Sequence, residues 1–120
     1  MPDPIRHLTD ETFDGGVAEG LTVVDFWAGW CGPCRAMAPQ FEKASRLRPK
    51  YGFAKVDVDA APGVAARYGI RSIPTLIVFR DGEPLAAQAG VMSAEQLAEA
   101  LDRIASAPAG SAAEAEVEAA

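Results

Sequence analysis

The stretch LTVVDFWAGWCGPCRAMAPQF, from Leu21 to Phe41, contains a strand, a turn and the beginning of a helix. Its first part, Leu21 to Trp27, is almost unbroken in apolarity and rich in β-branched and aromatic residues, which is typical of a central strand covered on both faces. After Cys31, apolar residues recur at spacings of three and four and share one face of a predicted helix: Met37, Phe41, Ala44 and Leu47. Gly52 to Val58 is predicted as the next strand, so the two strands should be parallel and joined by a right-handed crossover.

The remaining elements are shorter. Ile5 to Leu8 predicts a first strand, and Thr9 with two acids after it predicts the start of a helix. Further along, the patterns predict a short helix from Val64 to Tyr68 and a strong strand from Thr75 to Phe79. A hairpin turn at Asp81-Gly82 should lead into an edge strand from Glu83 to Ala89. A capping box from Ser93 to Gln96 should open the last helix.

The composition indicates a globular protein. The chain has 120 residues, of which 49% are hydrophobic and 23% are charged, and this length suits one domain with one core. The formal net charge of −6 argues against a nucleic-acid partner or an anionic membrane surface. The acidic N-terminus shows no apolar signal-peptide core, and no apolar run approaches the roughly 18 residues of a membrane span. We therefore expect a cytoplasmic protein in a reducing compartment, with no membrane partner.

The composition changes near the C-terminus. From Ser106 onward the chain consists of Ala, Glu, Ser, Gly and Pro, with Val117 as the single branched apolar residue. Such a segment cannot bury enough apolar surface to offset the entropy of ordering. We expect one domain over residues 1–106, followed by a disordered acidic tail over residues 107–120.

The two cysteines of the chain, Cys31 and Cys34, stand three residues apart. A structural disulfide is disfavoured because so short a loop stabilises the fold by only ~2 kcal/mol. A structural zinc site needs about four ligands, and the single histidine, His7, is far away in sequence. The preferred interpretation is a reversible dithiol–disulfide couple, because residues i and i+3 of a helix have Cβ atoms ~5–6 Å apart and a small shift closes the bond.

The position of Cys31 at the start of the helix explains its expected reactivity. The first helical amides lack intrahelical partners, so they and the helix dipole should stabilise a thiolate and lower the pKa of Cys31. Cys34 lies one turn deeper and should be shielded. We therefore assign Cys31 as the attacking, accessible thiolate and Cys34 as the resolving thiol. Between them, Gly32 lets another backbone approach, and Pro33 stiffens the pair at a position that needs no donor.

The segment Asp25 to Cys34 resembles the active-site segment of the thioredoxin family. The resemblance covers roughly residues 5 to 105 and includes Lys55 in AKVDVD, the segment YGIRSIPTLIVFRDG from Tyr68 to Gly82, and Gly90 after the last strand. The IRSIPT and APQFEKAS segments look closer to the thioredoxin 2 branch, although the N-terminal zinc module typical of that branch is absent from this sequence.

The resemblance implies a fold and an activity. The implied fold is a thioredoxin-like three-layer α/β sandwich, in which a central mixed sheet of five strands in the order 1-3-2-4-5 carries helices on both faces. The implied activity is that of a protein-disulfide reductase acting in cell redox homeostasis, since Gly-Pro between the cysteines resembles the reducing members. The implied partners are a thioredoxin reductase, which uses NADPH and flavin, and disulfide-containing client proteins. We expect a monomer that itself binds no cofactor or metal.

Asp25 is out of place in an apolar strand, because a buried, unpaired carboxylate costs several kcal/mol. One interpretation is a satisfied structural acid. The other is a carboxyl with a raised pKa beneath the thiols, which could take the proton of Cys34. The resemblance implies the second role and implies that Lys55 on the neighbouring strand helps to set this pKa, although Lys55 could also be an ordinary surface lysine.

The remaining candidate residues concern client binding. The resemblance implies a cis peptide bond between Ile73 and Pro74 that faces the dithiol and leaves the backbone of Ile73 free to pair with an extended client; a trans proline at a strand start is the alternative. Trp30 should form an apolar rim for clients, and Trp27 should pack beside the site, although both could be core residues. Gly90 would give a client backbone room, or would serve only as a turn glycine.

A second class of function remains open from the sequence alone. Domains of this kind can serve as binding scaffolds whose cysteines are incidental, and the acidic tail could then be an interaction arm. Reduction of insulin by the wild-type chain, lost on replacement of Cys31, would separate the two functions.

Overall fold

The computed structural model describes residues 4–107, and this range contains five strands and four helices. In chain order the elements are β1 (Ile5–His7), α1 (Phe13–Gly16), β2 (Leu21–Trp27), α2 (Gly32–Leu47), β3 (Gly52–Asp57), α3 (Pro62–Arg67), β4 (Thr75–Arg80), β5 (Glu83–Ala89) and α4 (Ala94–Ser106). The predicted tail, residues 107–120, lies outside the described residues except for Ala107. Among residues 4–107, no helix combines the length and apolarity that crossing a membrane would require.

The five strands form one mixed sheet in the order β1-β3-β2-β4-β5, as the resemblance implied. β2 lies at its centre, parallel to β3 and antiparallel to β4. Parallel pairing of β2 and β3 across α2 confirms the predicted strand–helix–strand unit. This arrangement places the carboxyl end of β2 and the first turn of α2 at one edge of the sheet, where the two cysteines follow.

Alternation along β2 divides the core between the two faces of the sheet. Val23 belongs to a cluster that packs against α2 and α4, with Met37, Phe41, Leu97 and Leu101. Val24 and Phe26 point to the other face, where α1 and α3 cover a cluster containing Phe13, Val64 and Phe79. Because side chains alternate, Asp25 and Trp27 share the α2 face with Val23. The sheet with helices on both faces is the predicted three-layer sandwich.

The first helix begins four residues after the predicted start at Thr9, although Thr9 does cap the turn before it: its hydroxyl accepts the amide of Thr12 at 3.3 Å and its carbonyl accepts the amide of Phe13 at 3.0 Å. α1 begins at Phe13, with Thr12 as its N-cap residue and no side-chain capping bond. Asp10 instead caps α3, because its carboxylate accepts hydrogen bonds from the amides of Gly63 (3.2 Å) and Val64 (2.8 Å). An acid that looked like a local helix signal therefore satisfies the free amides of a helix more than fifty residues away.

One helix face differs in detail from the predicted one, and one predicted cap is observed. Leu47, the last residue of α2, is 41% exposed although its spacing places it on the apolar face. In α4 the predicted capping box is confirmed, since Ser93 and Gln96 bond each other's backbone amides. Its buried face consists of Ala94, Leu97, Ala98, Leu101 and Ile104.

Candidate active site

Cys31 and Cys34 form a disulfide at the N-terminus of α2. Their Cα atoms are 5.3 Å apart, within the usual range for a disulfide. Cys31 is the N-cap residue of α2, and its Sγ accepts a hydrogen bond from the backbone amide of Cys34 at 3.2 Å. Gly32 and Pro33 occupy the first helical turn between them and are exposed. A sulfur in this position takes the place of the oxygen of an ordinary capping side chain, and an anionic sulfur would be favoured there.

Three hydrogen bonds hold the turn that leads into the dithiol. The backbone amide of Cys31 donates to the carbonyl of Ala28 (3.2 Å). The guanidinium of Arg35 donates to the carbonyl of Gly29 (3.1 Å). The indole Nε1 of Trp30 donates to the carboxylate of Asp59 (2.9 Å). The turn is therefore held by Arg35 of α2 and by Asp59 of the segment after β3.

Arg35 and Asp59 were not found by sequence reasoning. Arg35 directly follows Cys34, so its position beside the site could have been read from the chain. Asp59 could not, because the contact depends on β3 ending next to β2.

The expected difference in exposure between the two cysteines is not observed. Cys31 and Cys34 are each 4% exposed, and both pack in a cluster with Ala28. The exposed apolar side chain next to the dithiol is instead Trp30, which is 68% exposed. The two sulfurs differ in surroundings instead of exposure: Cys31 Sγ receives the amide of Cys34 and lies 3.6 Å from the carbonyl oxygen of Ile73.

Asp25 is fully buried in the central strand beside Lys55. The two residues are paired across the parallel β2–β3 ladder, and Asp25 is 0% exposed. Neither carboxylate oxygen of Asp25 has a hydrogen-bond partner among residues 4–107. Burial raises the pKa of Asp25 from its ordinary value of 3.8 to about 6, and the charge of Lys55 partly opposes this rise. Asp25 is therefore not a structural acid whose hydrogen bonds are satisfied by the described residues.

Trp27 packs against the lysine of this pair. Lys55 Nζ lies 4.8 Å from the centroid of the Trp27 ring, a cation–π distance. The indole Nε1 of Trp27 is buried and has no hydrogen-bond partner among the described residues. Trp27 and Lys55 are both only half-buried, whereas Asp25 is fully buried.

Ile73, Pro74 and Gly90 meet on the other side of Cys31. The Ile73–Pro74 peptide bond is cis. The amide of Gly90 donates to the carbonyl of Pro74 at 2.9 Å, and Gly90 has a φ of +92° with open space where a side chain would begin. Among residues 4–107 the amide of Ile73 has no hydrogen-bond partner. An unpaired amide here leaves the backbone available to an extended segment.

No group of three or more His, Cys, Asp or Glu side chains within residues 4–107 is arranged to hold a metal ion. His7 lies on β1, an edge strand, and the dithiol follows the central strand. The chemistry that these residues can support directly is thiol–disulfide exchange at Cys31 and Cys34.

Comparison with known proteins agrees with this geometry. The family model described as Thioredoxin matches residues 4–103. The chain belongs to the thioredoxin family. Thioredoxins of Staphylococcus aureus strains Mu50, MW2 and N315 are each 48% identical to it over 100 residues, which cover 82% of this chain and 96% of each relative.

Membership of the thioredoxin family, together with the disulfide at the start of α2, identifies the chain as a protein-disulfide oxidoreductase. Disulfide-containing proteins are the general client class of this family. The structure pairs the two predicted cysteines, sets Asp25 beside Lys55, and places the carbonyl of Ile73, which precedes the cis proline, 3.6 Å from Cys31 Sγ.

Proposed function

We propose that the chain is a general protein-disulfide reductase that cycles the Cys31-Gly32-Pro33-Cys34 dithiol. The observation that carries the proposal is the capping position of Cys31, where the Cys34 amide reaches its sulfur at 3.2 Å. In the reduced protein this amide and the open end of α2 favour Cys31 as a thiolate. Cys31 attacks one sulfur of a client disulfide, and the other client sulfur leaves as a thiolate. Cys34 then attacks Cys31, which releases the second client sulfur and forms the observed disulfide.

Asp25 accepts the proton of Cys34 in the resolving step. Its pKa of about 6 leaves it mostly ionised near pH 7 and therefore able to act as a base. Lys55 limits the rise of this pKa and is proposed as a positioning residue for the transfer. Trp27 covers the pair and modulates its access to solvent.

The client lies against Trp30, Gly32, Pro33, Ile73, Pro74 and Gly90. Support comes from the exposed indole of Trp30 and from the unpaired Ile73 amide, which fits the addition of an extended client strand. Gly90 provides room for the client backbone. This docking places the client disulfide above Cys31, whose sulfur already lies 3.6 Å from the Ile73 carbonyl.

The cycle is completed by a thioredoxin reductase that uses NADPH and flavin, so the chain itself carries no bound cofactor. We propose that it acts as a monomer in the cytoplasm, in cell redox homeostasis. In this role the domain at residues 1–106 carries the activity.

Reduction of insulin tests the proposed function. With dithiothreitol as the electron source, the wild-type chain is expected to accelerate precipitation of the reduced insulin chains well above the rate with dithiothreitol alone. Turbidity follows the reaction directly. A rate equal to the protein-free reaction would overturn the reductase proposal and leave only a redox-inert binding module.

Trp30→Ala tests the client surface. We expect kcat/KM for insulin to fall about tenfold, which corresponds to ~1.4 kcal/mol of lost apolar contact, while reduction of a small aromatic disulfide changes less than twofold. The matched control is Leu47→Ala, which removes another exposed apolar side chain at the far end of α2. Equal losses for Trp30→Ala and Leu47→Ala, or equal losses for both substrates, would contradict the assigned contact.

A further inference from the structure

A cleft of about 240 Å³ opens beside the second cysteine. Its lining residues are Trp27, Ala28, Gly29, Cys34, Arg35, Ala38 and Lys55. Cys31 does not line it, nor does any residue assigned above to client contact. The cleft therefore reaches Cys34 by a route that a client docked over Cys31 leaves open.

The charge of the cleft is opposite to that of the chain. Two cationic side chains, Arg35 and Lys55, line it, and its described lining contains no carboxylate, in a chain of net charge −6. Arg35 is held in place by its bond to the Gly29 carbonyl, and Lys55 by its contact with the Trp27 ring. Acids beside the lining residues are Asp25, paired with Lys55, and Asp57, paired with Trp27, on neighbouring strands, and Asp59, which accepts the Trp30 indole N–H.

We propose that this cleft is a binding site for small anionic thiols and disulfides and gives them access to Cys34. The inference rests on the proposed function, because it adds a second entrance to the same dithiol. The ligand class follows from the size of the cleft and its two fixed cations, which attract a carboxylate or sulfonate beside the reacting sulfur.

The chemistry at this entrance is ordinary disulfide exchange with a different leaving group. The thiolate of the small molecule attacks Cys34 Sγ, the Cys31–Cys34 bond breaks, and Cys31 leaves as a thiolate. A second small thiolate attacks the sulfur of the bound molecule, which releases the small-molecule disulfide and the Cys34 thiolate. The first step is favoured because the better-stabilised thiolate leaves faster, and Cys31 is the sulfur that receives the Cys34 amide.

Charged thiol reagents test the entrance on a chain whose only thiol is Cys34. Serine is a good capping residue, so Cys31→Ser should keep the start of α2. Cys34 is then treated with two methanethiosulfonates of similar size, one bearing a sulfonate and one a trimethylammonium group. Each attack forms a mixed disulfide with Cys34 and releases methanesulfinate. The rates, read by mass spectrometry, are divided by those of the same variant unfolded in urea.

The expected normalised rate for the anionic reagent exceeds that for the cationic reagent by about tenfold at low salt, and the ratio shrinks at high salt. Adding Arg35→Gln should lower the ratio about threefold and Arg35→Glu about tenfold. Arg46→Glu changes the net charge equally, from an exposed position near the other end of α2, and should leave the ratio within twofold.

Two results would overturn the proposal: a ratio that responds equally to Arg35→Glu and Arg46→Glu, or a folded chain whose Cys34 reacts with neither reagent. Insulin reduction by the chain with both cysteines separates this failure from failure of the proposed function. If that activity persists while the reagents show no charge preference, only the second entrance is excluded.

Discussion

Cys31→Ser is expected to abolish insulin reduction, with a loss of at least about a thousandfold. A serine hydroxyl does not ionise near neutral pH, so the step that makes the covalent intermediate has no nucleophile. Cys34 cannot replace it, because it lies inside the first turn of α2 and lacks the capping position. The measurement is the initial rate of insulin precipitation, with circular dichroism to show that the variant is folded.

Cys34→Ser is the matched variant, since it also replaces a sulfur by an oxygen, at the other cysteine of the pair. It should also lose turnover, but it keeps the first attack and therefore accumulates mixed disulfides at Cys31. Non-reducing gels of a reaction with a disulfide client should show a covalent adduct that dithiothreitol removes. Adducts formed equally well by Cys31→Ser would reverse the assigned roles, and turnover retained by either variant would refute the exchange mechanism. The chain has no third cysteine to complicate either result.

Asp25→Asn is expected to stabilise the protein in a pH-dependent way. Asp25 is fully buried, and its pKa rises in the folded state from 3.8 to about 6. Between these values the folded state holds a proton that the unfolded state has released, so stability falls as pH rises through this window. A pKa difference of this size corresponds to about 3 kcal/mol of unfolding free energy, lost in full above the folded pKa.

The measurement is urea unfolding of the oxidised wild type and Asp25→Asn at pH 4 and pH 8. The unpartnered amide of the new asparagine changes the unfolding free energy of the variant equally at both pH values. The quantity to compare is therefore how the difference in unfolding free energy between wild type and Asp25→Asn changes with pH. We expect the advantage of Asp25→Asn to grow by about 2.5 kcal/mol from pH 4 to pH 8, since a small part of the effect is already present at pH 4. Asp102→Asn is a control of opposite sign: hydrogen bonds from Arg48 and Tyr51 lower the pKa of Asp102, so its contribution is lost as pH falls.

The same variant tests the catalytic assignment of Asp25. Release of the client from the mixed disulfide should be slower in Asp25→Asn and should lose the wild-type rise in rate with pH near the pKa of about 6. Lys55→Gln should move that rise to higher pH, because the lysine charge lowers the pKa of Asp25. Identical profiles for wild type and Asp25→Asn from pH 6 to 9 would remove Asp25 from the mechanism.

Much of the fold followed from local patterns. β2 and β5 were predicted with their observed bounds, and the capping box of α4 was read directly from Ser93 and Gln96. The predictions that failed depended on partners distant in sequence. Asp10 caps α3 instead of its own segment, and Leu47, at the end of α2, is 41% exposed.

The amino-acid sequence by itself determined the dithiol. Two cysteines separated by three residues at the start of a helix meet through local geometry, and the amide that stabilises Cys31 belongs to Cys34. Tertiary structure decided the surroundings of the dithiol. Strand pairing placed Lys55 beside the buried carboxyl of Asp25 and brought Ile73 to within 3.6 Å of Cys31, because burial and contacts over forty residues arise only when the sheet is assembled.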